Sequence, residues 1–235
     1  MKAALALVLA LGITGCTPDG PPPSGQTGAL TIFAASSLKD LLDDVGRAWT
    51  RQTSQPVRIQ FEASSTLARQ IVEGAPADLF LSAAPEWVAQ VKALDRFDWL
   101  SNHLVLVVAK DSPKVEPRAV ESLALADEQV PAGKYAKAAL AALGLGLPRR
   151  TLYGSNVRDV LSKVSQGGAQ AGIVYETDAA IDPGVRISYT FAPESYPRIL
   201  YVAGLLTRKG QGFYQALKEP WVRNLARRYG FIDLR

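Results

Sequence analysis

Apolar positions along this chain fall into short runs that alternate between two periodicities. Leu30-Thr31-Ile32-Phe33-Ala34 is a compact apolar run suited to a buried strand. Leu38, Leu41, Leu42, Val45, Ala48 and Trp49 then recur on one helical face. Val57, Ile59 and Phe61 alternate with polar neighbours, as a second strand would. Leu67, Ala68, Ile71 and Val72 mark a helix closed by Gly74; Asp78 to Ser82 reads as a third strand, and Pro85 to Val91 opens another helix. This βαβαβ order is the mark of a parallel sheet covered by helices.

The apolar strand His103 to Ala109 stops at Lys110-Asp111-Ser112-Pro113, a break in composition. A second α/β set follows: helices over Tyr135 to Leu143 and Val157 to Gln166, and strands over Ala171 to Tyr175, Val185 to Tyr189 and Ile199 to Leu206. Helices near Phe213 and Trp221 end the chain. The pattern predicts an α/β protein of two lobes, each a mostly parallel sheet flanked by helices, with a cleft between them. Residues 30–108 plus 200–235 are assigned to the first lobe and residues 109–199 to the second.

The N-terminus has a different character. Met1-Lys2 and the apolar run Ala3 to Leu11 read as a signal peptide over residues 1–15, because the run is shorter than the roughly 20 residues a membrane span needs. Ile13-Thr14-Gly15-Cys16 resembles a bacterial lipobox, in which Cys16 is acylated and becomes the mature N-terminus. Cys16 is the chain's one cysteine, so no disulfide explains it. Residues 16–29 are then the lipidated cysteine and a Pro/Gly/Ser-rich tether. The expected location is extracytoplasmic, anchored to a membrane through that lipid.

A net charge of +4 from scattered lysines and arginines leaves no basic cluster of the kind nucleic acids require. The chemistry suggested instead lies at four helix starts. Ser36-Ser37 precedes Leu38; Ala63-Ser64-Ser65-Thr66 precedes Leu67. Pro131-Ala132-Gly133 precedes Tyr135, and Gly154-Ser155-Asn156-Val157 precedes Val160. Free N–H groups and the positive dipole end make such places anion sites. The plainer role of these serines is to cap their own helices, and Ser37-x-x-Asp40 even has the form of a capping box. Four such starts shared between two lobes favour an anion, since strand-end loops of α/β sheets face a common crevice.

FAASSL (Phe33–Leu38), ASSTLARQIVEGAPADLFLSA (Ala63–Ala83), VPAGKYAKAAL (Val130–Leu140), NVRDVL (Asn156–Leu161) and AGIVYETDA (Ala171–Ala179) resemble the periplasmic molybdate-binding proteins of ABC importers. Arg227-Arg228-Tyr229-Gly230-Phe231 is similar too, so the likeness runs from about Leu30 to Phe231. It implies a type II periplasmic-binding-protein fold holding molybdate or tungstate in the cleft, for delivery to a membrane permease, with the protein a monomer. Carried over residue by residue, the oxyanion ligands fall on the hydroxyl and N–H of Ser37 and Ser64, the N–H groups of Ala132 and Val157, and the phenol of Tyr175. The metal is bound as an oxyanion, so no side chain is expected to ligate a cation and no cofactor is implied.

The sequence departs from the family at Glu176, at Ala126-Asp127-Glu128-Gln129 and at Arg198. Glu176 would set a carboxylate beside the site if it turned inward; it is expected to face solvent. The implied ligands are donors without formal charge, which suits a fully deprotonated dianion and disfavours phosphate, whose proton needs an acceptor. Sulfate remains a rival ligand. A serine hydrolase is a weaker one: Ser36-x-x-Lys39 matches S-x-x-K, but neither S-D-N nor K-T-G occurs in the chain. The chain's one histidine, His103, lies in an apolar strand, where a structural role is expected. The protein is therefore expected not to be an enzyme.

Overall fold

A computed structural model describes residues 28–234; the expected signal peptide, the Cys16 lipidation site and nearly all of the tether lie outside them. The first sheet begins with β1 (Leu30–Ala35). A short 3-10 turn at Ser36–Leu38 leads into α1 (Lys39–Thr53), and β2 (Val57–Glu62) follows. Next come α2 (Ser64–Val72), β3 (Leu79–Ser82), α3 (Pro85–Val88) and β4 (Asp95–Ser101). The second sheet takes β5 (Leu104–Ala109), β6 (Ser122–Ala126), α4 (Pro131–Ala142), β7 (Arg150–Gly154), α5 (Val157–Ser165), β8 (Ala171–Tyr175), α6 (Glu176–Ile181) and β9 (Val185–Thr190). The chain then returns through β10 (Tyr201–Leu205), α7 (Gln211–Ala216), α8 (Pro220–Arg228) and β11 (Ile232–Asp233).

The sheets have strand orders β11-β4-β10-β3-β1-β2 and β7-β6-β8-β5-β9. Both are mixed. β1 pairs parallel with β2 and β3, while β10 runs antiparallel to β3 and β4. In the second sheet β6 is parallel to β7 and β8, and β5 is antiparallel to β8 and β9. The parallel character expected from the βαβ order holds for the parts joined by helices. It gives way at β5 and β10, the strands that follow the two crossings between sheets.

One boundary differs from expectation. The pattern puts residues 104–108 in the first lobe, yet β5 pairs with β8 and β9, so the chain crosses at Asn102-His103. The composition break at Lys110 marks where this strand ends. Its sheet is set by partners more than 60 positions away, which the local pattern does not carry. β5 is buried along Leu104 to Val108, as a central strand covered on both faces must be. Around it Val160, Leu161 and Val164 of α5 and Tyr135, Ala136 and Ala139 of α4 join the same apolar core as Leu38, Leu41 and Leu42 of the first lobe. Among the described residues no helix is long and apolar enough to cross a membrane.

Candidate functional site

The four helix starts meet at one small cavity between the sheets. It is lined by Ser37 in the 3-10 turn that follows β1, Ser64 at the start of α2, Ala132 at the start of α4, Val157 at the start of α5 and Tyr175 at the end of β8. Its volume is about 10 Å³, far below the roughly 300–1,000 Å³ of pockets that hold drug-sized ligands. Each of these five residues exposes 3% or less of its surface. The structure thus brings together all five positions named from the sequence.

The serines do not cap their helices. Neither the turn at Ser36 nor α1 nor α2 has a side-chain cap bond, so the capping box suggested by Ser37 and Asp40 is not formed. Ser37 Oγ instead lies 2.9 Å from Tyr201 Oη, and Ser64 Oγ accepts the Ala83 N–H at 3.0 Å. Asn156 is different: its side chain accepts from the N–H groups of Arg158 and Asp159, a true N-cap for α5. Val157, the first residue of α5, lines the cavity, and the Asn156 cap does not bond its N–H. Ala132 follows Pro131, which has no N–H to offer, so Ala132 supplies the first donor of α4.

Tyr175 Oη is buried and makes no hydrogen bond within the described protein. A buried hydroxyl without a partner costs about 1–3 kcal/mol, so Tyr175 Oη is an unsatisfied donor in the cavity wall. Burial, with Tyr201 and Tyr135 close by, pushes its phenol well above the ordinary value, so the hydroxyl keeps its proton and can donate. The Tyr175 ring sits 6.0 Å from Tyr201 and 6.5 Å from Tyr135, which leaves it little freedom.

One charged residue in the cavity wall is absent from the sequence reading. Glu62, the last residue of β2, lines it. Its Oε1 accepts the Ala63 N–H at 2.9 Å and the Asn156 amide at 2.7 Å, so the carboxylate is held at the rim by donors from both lobes. The alternation of β2 places Glu62 in the strand but gives no sign that its end meets α5. Glu176 is not part of the wall; it is half-buried rather than solvent-facing, and its N–H donates to His103 O. Arg198 lies in a separate depression with Glu194 and His103, behind the crossings.

Further contacts bridge the lobes. Arg158 of α5 donates to Asp178 within its own lobe and to Asp40 Oδ2 of α1 at 2.6 Å. Lys134 reaches Glu86 at 3.1 Å, and the Tyr135 hydroxyl donates to Ala83 O at 3.3 Å. Lys39, the partner the hydrolase reading requires for Ser36, is instead paired with Asp43 at 2.7 Å and lies over Phe61. Among the described residues no group of histidines, cysteines and carboxylates could hold a cation.

Residues 30–232 match the family model for bacterial extracellular solute-binding proteins. The chain is 37% identical to the molybdate-binding protein ModA of Escherichia coli, over 87% of this chain and 89% of that one. It is 32% identical to the putative ABC transporter substrate-binding lipoprotein YvgL of Bacillus subtilis, over 96% and 95% of the two chains. Its fold matches the periplasmic molybdate-binding protein of Azotobacter vinelandii with a TM-score of 0.77 at 22% identity, covering 88% of this chain and all of that one. These are binding proteins rather than enzymes, and this chain belongs to the bacterial extracellular solute-binding proteins and, within them, to the molybdate-binding family.

Proposed function

We propose that this protein captures molybdate, and tungstate with it, in the cavity between its lobes and hands it to the permease of an ABC importer. In this reading it is a monomer, tethered through an acylated Cys16. The ligands are the hydroxyl and N–H of Ser37 and Ser64, the N–H groups of Ala132 and Val157, and the Tyr175 phenol.

The observation that carries the reading is the buried, unpaired Tyr175 hydroxyl in a wall that both lobes line, with Ser37, Ser64, Ala132 and Val157 around it and Glu62 the one charged residue. Each hydrogen bond with one charged partner contributes roughly 1.5–3 kcal/mol. Several in one enclosed cavity support tight binding of a dianion without an arginine or lysine. The Glu62 carboxylate adds negative charge at the rim, but its Oε1 is engaged by two donors. Separation from sulfate then rests on size, since sulfate is a smaller tetrahedron of the same charge.

The bonds from Arg158 to Asp40 and from Asn156 to Glu62 suit a closed form that presents one shape to a permease. Parallel calorimetric titrations with molybdate, tungstate, sulfate and phosphate test the proposal. Molybdate and tungstate are expected to bind far more tightly than the other two, and Ser37→Ala or Ser64→Ala to weaken them at least about tenfold. Equal affinity for sulfate, or unchanged binding in both variants, would overturn it.

A further inference from the structure

We propose that Asn102 and Tyr201 are positioning residues that fix the Ser37 hydroxyl as a donor toward the ligand. The Ser37 hydroxyl then meets the ligand as a donor, as suits a fully deprotonated oxyanion. This rests on the proposed role of Ser37 as a ligand.

The argument follows one chain of hydrogen bonds from its unambiguous end. Asn102 sits where the chain leaves the first sheet for the second. Its Oδ1 accepts the His103 N–H at 2.9 Å, and this fixes which end of the amide is oxygen. The amide nitrogen therefore faces Thr177 Oγ1 at 2.8 Å and Tyr201 Oη at 3.3 Å. A side-chain amide nitrogen donates and cannot accept. Tyr201 Oη thus receives a hydrogen from Asn102 and must place its own elsewhere. Ser37 Oγ, at 2.9 Å, is the acceptor within reach. Once Ser37 accepts from Tyr201, its own hydrogen is free for the cavity. The reverse arrangement would have Ser37 donate to Tyr201, leaving the Tyr201 hydrogen aimed at an amide nitrogen that has no lone pair to give.

Ser64 reaches the same state by a shorter route. Its Oγ accepts from a backbone N–H, that of Ala83, which can only donate. Both serine hydroxyls are therefore turned toward the cavity as donors, one by the backbone and the other by a two-residue relay. The relay is rigid. Tyr201 is fully buried, and its ring is held edge-on between Tyr175 at 6.0 Å and Phe231 at 5.4 Å. Asn102 is buried as well.

A double-mutant cycle read by calorimetry with molybdate tests this. Tyr201→Phe keeps the ring and removes the relay oxygen. It should weaken molybdate about tenfold in the otherwise native protein, and by less than about twofold when Ser37 is already alanine. Asn102→Ala should show the same dependence on Ser37 with a smaller loss. A residue that only supports the fold would cost the same in both backgrounds. Equal losses in the two backgrounds, or no loss with Ser37 intact, would overturn the relay. Unchanged affinity on Ser37→Ala alone would instead remove the ligand role beneath it, and that single variant tells the two failures apart.

Discussion

At the residue scale the informative groups are those whose hydrogen bonds do not add up inside the protein. Tyr175 Oη is buried without a partner, and Ser64 Oγ receives a hydrogen from the Ala83 N–H and retains one of its own; in the proposed relay Ser37 does the same with Tyr201. Tyr175→Phe separates binding from stability. The variant should lose about tenfold in molybdate affinity, yet the ligand-free protein should melt no lower, because an unsatisfied hydroxyl has been removed from the interior. Calorimetric titration and ligand-free thermal melts measure the two halves; a lower ligand-free melting temperature would mean the hydroxyl has a structural partner after all. A sequence can suggest Tyr175, which ends an apolar strand. It cannot suggest Tyr201, whose contact with Ser37 spans 164 positions, nor the link from Glu62 to Asn156 across 94. Those partners are set by how the sheets assemble, and no local spacing encodes them.

At the scale of elements, the donors depend on where helices begin and how closely loops approach them. Gly133, in the first turn of α4, is such a place. A Cβ there would lie 2.2 Å from Asp127 O and 2.4 Å from Ala126 O, both backbone atoms that cannot swing aside. Gly133→Ala should therefore displace the start of α4 and the Ala132 N–H with it. The expected cost is about 1–3 kcal/mol of stability together with weaker oxyanion binding, measured by denaturant unfolding and titration. Full retention of both would mean the loop yields freely.

Strands were unevenly readable. Ala171–Tyr175 and Val57–Glu62 carry clear apolar patterns and appear where these predict. β4 opens with Asp95-Arg96 and β7 is an edge strand with an exposed Tyr153, and neither stands out by periodicity. β6, Ser-Leu-Ala-Leu-Ala, is wholly buried but too short and too rich in alanine to be told from a helix segment.

For the whole molecule the decisive feature is the contact across the cleft, where Arg158 holds Asp178 of its own lobe and Asp40 of the other. Burial pushes the Asp178 carboxyl up to about 6, and the Arg158 charge offsets only part of that. The same pairing keeps the guanidinium firmly protonated, so both groups are ionised at pH 7.5. Because the folded value lies above the unfolded one, folding takes up a proton in this window. The contribution of Asp178 to stability is full below about pH 4 and is lost as pH rises through 6. The stability of the native protein relative to Asp178→Asn should therefore be about 1 kcal/mol greater at pH 5 than at pH 7.5, measured by ligand-free unfolding at the two pH values. Parallel pH profiles would show that Asp178 has no such shift.

The strand order has a consequence in time. β10 lies between β3 and β4 in the first sheet, yet Tyr201–Leu205 is among the last segments of the chain to be made. A polypeptide emerging amino end first has the edge of that sheet in hand and lacks its middle for another hundred residues. Its opening third cannot settle into a finished, compact body early. Such a chain stays threadable through a narrow translocation pore until nearly all of it has passed, and it can then fold on the far side in one cooperative event.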